Sequence, residues 1–81
     1  MAESRSYAVR GAGSPSRLGK VHKIYPYSLQ SLLDAMEDAR LQSFNEGPHV
    51  VTIVTGRRSQ VIRRYEKGHE TWRPESAEDP E

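Results

Sequence analysis

Residues 49–66 read HVVTIVTGRRSQVIRRYE, and this stretch decides the fold. Apart from His49, its first seven residues are all β-branched, from Val50 to Thr55. Its last residues alternate Val61, Arg63 and Tyr65 with Ile62, Arg64 and Glu66, the period of two that marks a strand. Gly56 to Ser59 supplies turn residues between them. The stretch therefore predicts an antiparallel hairpin. In its first strand Val50 and Val54 occupy one side, Val51 and Ile53 the other. Apolar residues on both sides are the signature of a central strand covered on both faces.

Downstream, Lys67-Gly68 predicts a second tight turn and His69 to Trp72 a short return strand. Upstream, Asn45, Gly47 and Pro48 form a helix stop, because glycine suits the left-handed cap and proline cannot continue the turn. The helix they end begins at Ser28, a good N-cap, with Tyr27 and Leu32 placed as a hydrophobic staple. Leu29, Leu32, Leu33, Met36, Ala39 and Ser43 fall at spacings of three and four, which predicts the buried stripe. Gln30, Asp34, Glu37, Asp38 and Gln42 take the opposite side, with Arg40 near the stripe and directed outward. Before the helix, Lys20 to Tyr25 reads as a strand closed by Pro26. The expected fold class is α+β: a two-layer sandwich, β-α-β-β(-β), with one helix packed on a small antiparallel sheet.

Composition divides the chain into three parts. Residues 18–73 form one small domain. Residues 1–17, containing AGSPS, are expected to be a disordered N-terminal arm, and residues 74–81, PESAEDPE, a disordered acidic tail. Neither end carries enough apolar surface to offset chain entropy. A core of this size supplies roughly 3–5 kcal/mol. There are no cysteines, so disulfides and thiolate metal sites are excluded. A single helix covers one face of a strand that is apolar on two, so a second subunit, a tail or a ligand is expected to meet the other face. Homodimerisation is the first expectation. No secretory segment or membrane-length apolar run occurs in the chain, which predicts a cytoplasmic protein with no membrane partner.

The net charge of +1 hides a gradient. Residues 17–73 hold ten Lys and Arg against six Asp and Glu, whereas the last eight hold four acids and no base. Guanidinium groups grip phosphate bidentately and stack on bases. The basic hairpin therefore predicts a non-enzymatic regulatory module that contacts nucleic acid through Arg57, Arg58, Arg63, Arg64 and Lys67. Arg63 and Arg64 point to opposite faces, so a solvated edge strand is the competing explanation. The alternative function is a protein-binding regulator, an adaptor or a stoichiometric inhibitor. It would dock through an exposed sheet face or edge and a charged surface that includes Asp34, Glu37, Asp38, Tyr65 and Trp72. His22, His49 and His69 come from three predicted elements with no metal-ligand spacing, so no metal site is expected. No nucleophile motif, phosphate loop or paired carboxylates appear, and a fold this small leaves little room for a ligand pocket. Neither a catalytic residue, a cofactor nor a small-molecule substrate is predicted.

Overall fold

The computed structural model describes residues 4–12 and 19–73. Its elements are β1 (Arg5–Gly11), β2 (Val21–Pro26), α1 (Leu29–Glu46), β3 (His49–Thr55), β4 (Arg58–Glu66) and β5 (His69–Trp72). The strands form one antiparallel sheet in the order β2-β1-β3-β4-β5, and α1 lies across it. The α+β sandwich is as the sequence predicts, with one strand more.

That extra strand is the main correction. Arg5–Gly11, assigned to a disordered arm, pairs with β2 on one side and β3 on the other. β2 and β3 are both antiparallel to β1, hence parallel to each other, and α1 is the crossover between them. Without β1 they would have no ladder partner on the sides that face each other. Tyr7 and Val9 are 1 % and 0 % exposed. Long-range pairing with β3 and burial of these two side chains outweigh the weak local signal of a seven-residue strand. Residues 1–3, 13–17 and 74–81, the rest of the expected arm and the tail, lie outside the described residues.

The core joins Tyr7, Val9, Val51, Ile62 and Tyr65 of the sheet to Leu32, Ala35 and Ala39 of α1. The buried helix stripe is thus Leu32, Ala35, Ala39 and Ser43, rotated from the one predicted. Leu29 and Leu33 face outward, at 72 % and 50 % exposure. The reason is steric: the sheet contributes two tyrosines to the interface, so small helix residues let the layers close. Ser28 caps α1 by accepting the Ser31 N–H at 3.1 Å, and Gly47 ends it at φ 91°.

The opposite face of β3 also departs from expectation. Ala8, Val50 and Thr52 lie on the side away from the helix cluster, yet they are 1 %, 1 % and 0 % exposed in the single chain. Val50 stands between Arg10 of β1 and Arg64 of β4 in its cross-strand row. The middle of this face is closed, and the argument for a companion that covers it falls. Among the described residues, the large exposed apolar side chains of this face lie towards its margins, Val21 and Ile24 on β2 and Trp72 on β5.

Candidate nucleic-acid interface

Thr55 and Arg58 pair across the tip of the β3–β4 hairpin, leaving Gly56 and Arg57 as its two-residue loop. Gly56 takes φ 60°, as a II′ turn requires of its first central residue. This holds Arg57 at the apex and Arg58 at the start of β4, both exposed. Neither side chain makes a hydrogen bond, ion pair or ring contact among the described residues.

β1 brings a third guanidinium to the same end. Arg5 pairs with Thr55, and Thr55 with Arg58, so both arginines share one cross-strand row. Two strand spacings separate their Cα atoms by about 10 Å. Arg5 lies over the Tyr27 ring at 5.6 Å, and Tyr27 stacks on Tyr7 at 5.2 Å. Pro26 pairs with Ser6, which places the N-terminus of α1 at this end too. Its unpaired N–H groups add a partial positive charge. The tip is therefore a cationic end built from the hairpin turn, the start of β1 and a helix N-terminus.

The other predicted arginines belong to the fold. Arg63 donates through Nη1 to the Ile62 carbonyl at 2.7 Å, and its Nε, buried without a hydrogen bond, lies 3.7 Å from Glu70. Glu70 also accepts from Arg73 at 2.5 Å and from the Tyr65 hydroxyl at 3.4 Å. Arg64, on the other face, binds Glu66 at 2.8 Å. Lys67 is exposed and has no side-chain partner among the described residues, but it occupies the β4–β5 turn at the far end of β4. Nine residues of strand put it about 30 Å from Arg58. Of the five predicted contacts, Arg57 and Arg58 stand together, Arg63 and Arg64 each lie against a carboxylate, and Lys67 is remote. Arg5 was missed because its segment was assigned to the arm, although Tyr7 and Val9 alternate with Ser6, Ala8 and Arg10.

The alternative docking residues scatter likewise. Tyr65 is 3 % exposed beneath the helix. Burial, followed by the nearby Glu70 carboxylate, pushes its hydroxyl up to about 12. Asp38 turns towards β2, accepting the Tyr25 hydroxyl at 2.7 Å with His22 Nε2 at 3.5 Å. Burial and that hydrogen bond push Tyr25 up to about 12 as well. Glu37 is bound by Arg40 at 2.7 Å, which holds its carboxyl below the usual range. Asp34 is exposed and accepts from Gln30, and Trp72 lies half-exposed on the edge strand β5.

At the opposite end of α1, Lys20, His22, Gln42, Glu46 and His49 line an open cleft of about 450 Å³. This is larger than the expectation of little pocket room allowed. The His22 and His49 rings meet edge-on at 6.5 Å, and His49 Nδ1–H donates to the Gly47 carbonyl at 2.8 Å. His69 belongs to β5. Among the described residues no three His or acidic side chains are grouped to hold a metal ion, and no helix is long and apolar enough to cross a membrane.

The chain matches no protein-family model, no curated protein and no solved structure.

Proposed function

We propose that this chain is a non-enzymatic, cytoplasmic regulatory module that binds nucleic acid through its cationic end. Arg57 and Arg58 grip backbone phosphate, and Arg5 extends the contact along the same row. The observation that supports this reading is the contrast among the arginines. Arg63 and Arg64 lie against Glu70 and Glu66, whereas Arg5, Arg57 and Arg58 at the tip have no acidic partner among the described residues. Unpaired guanidinium groups are free to exchange water for phosphate without first breaking an ion pair. The sequence of the ligand is not read in this arrangement, because phosphate contacts position a protein rather than specify a site.

The test is binding to mixed-sequence DNA and RNA across a salt series. The parent should lose affinity steeply with salt, and Arg57→Ala/Arg58→Ala should flatten the slope by about two units. A parent that ignores salt, or a double variant with unchanged affinity, would overturn the reading.

A protein-binding regulator is the second reading, favoured by the exposed apolar residues of the edge strands: Val21 and Ile24 of β2 and Trp72 of β5. Such a partner would add a strand to one edge, and its recovery from a pull-down would survive nuclease treatment.

A further inference from the structure

We propose that the outward flank of α1 is a self-association surface whose occupant is a second copy of this chain, packed antiparallel across a two-fold axis. The helix carries exposed apolar bulk on the flank outside its buried stripe, where the Phe44 ring also packs against Gly68 and lies beside Arg40. Leu33 is 50 % exposed and Phe44 58 %, while Ala35 and Ala39 are fully buried. Leu33, Glu37, Arg40 and Phe44 recur at spacings of four, three and four, the alternation of a helix–helix seam. Leu29 and Leu41, 72 % and 46 % exposed, border the same flank.

The order along this seam is apolar, acid, base, apolar, and it is its own complement when reversed. Antiparallel pairing sets Leu33 opposite Phe44 of the second copy, and Glu37 opposite Arg40. Parallel pairing would set Glu37 on Glu37 and Arg40 on Arg40. A two-fold interface needs this self-complementarity, in which each patch meets its own copy. Within one chain Glu37 and Arg40 already bond at 2.7 and 3.2 Å, so the charges choose the direction and the apolar residues supply the affinity. The sheet offers no equivalent, because the middle of its free face is closed. The proposal does not rest on nucleic-acid binding, since Arg57 and Arg58 lie outside the seam.

The test is sedimentation equilibrium of the full chain from micromolar to millimolar concentration. The parent should dimerise. Glu37→Arg and Arg40→Glu each place like charges across the seam and should weaken self-association about tenfold or more. An equimolar mixture of the two should associate, because one presents only bases and the other only acids. The doubly exchanged chain should dimerise like the parent, and Leu33→Asp should be monomeric with an unchanged circular dichroism spectrum. A parent that stays monomeric throughout, a dimer indifferent to both single exchanges, or a mixture no tighter than its components would each overturn the proposal.

Discussion

The two turns that bound β4 use similar residues to opposite ends. Each pairs a glycine with a cation: Gly56 with Arg57 and Lys67 with Gly68. The first projects from the sheet, and its arginine side chains make no hydrogen bond, ion pair or ring contact among the described residues. The second is built into the fold. Gly68 is buried, its N–H donates to the Ser43 hydroxyl at 2.8 Å, and that hydroxyl donates to the Arg40 carbonyl at 2.7 Å. The Phe44 ring occupies the space where a side chain at Gly68 would begin. Local turn chemistry is thus a poor guide to role. What separates the two ends is whether α1 reaches them with its packed last turns or with its open N-terminus.

Substitution at the two glycines tests this contrast most severely. Gly68→Ala forces a left-handed residue to carry a Cβ and displaces Phe44, and should cost about 3 kcal/mol. Gly56→Ala carries the backbone penalty at φ 60° and should cost about 1 kcal/mol. Urea unfolding measures both, and equal losses would erase the distinction between the ends.

The next effect is alkaline. Tyr65, paired with His49 near the packed turn, ionises near 10 in an unfolded chain and at about 12 here. Above pH 10 the unfolded state loses its proton first, so stability should hold below pH 10 and fall as pH rises towards 12. The loss should be on the order of 1 kcal/mol, shallower in Tyr65→Phe, with Tyr25 accounting for the remainder. Denaturant midpoints at pH 9 and 11 give the comparison, and a Tyr65→Phe curve that tracks the parent would detach Tyr65 from the alkaline loss.

The smallest effect belongs to the open end. Arg57→Ala/Arg58→Ala should change stability by less than about 0.5 kcal/mol, as substitutions at unpartnered surface positions do. A larger loss in thermal or urea unfolding would show that the tip supports the fold.

Much of the architecture was visible in the residues. The Val- and Ile-rich run, the glycine before Arg57, Ser28 and Gly47 each act locally, and each sits where its chemistry requires. What escaped was set by distance in the chain. Tyr7 and Val9 make a short alternation beside a Gly-Ser-Pro stretch, and only the approach of Val51 and Ile53 gives them a sheet to complete. The helix stripe was misplaced because leucine outweighs alanine on any hydrophobic scale, whereas the sheet's tyrosines demanded small neighbours. At the candidate site the parity of Arg63 and Arg64 could be read from the period of two. The Arg64–Glu66 pair follows from that period, but the approach of Glu70 to Arg63 does not, because a bulge opposite Val51 and Thr52 inserts Ile62 into the core and Glu70 arrives from another strand.

The position of β1 bears on how the molecule comes into being. Ribosomal synthesis delivers Arg5–Gly11 before the other strands, yet these residues occupy an interior slot whose second wall, His49–Thr55, emerges only after the entire helix. A nascent hairpin of the first two strands therefore carries a raw edge until that later segment arrives. Trimming the leader that composition marks as dispensable would pull the sheet apart at its seam rather than tidy its border.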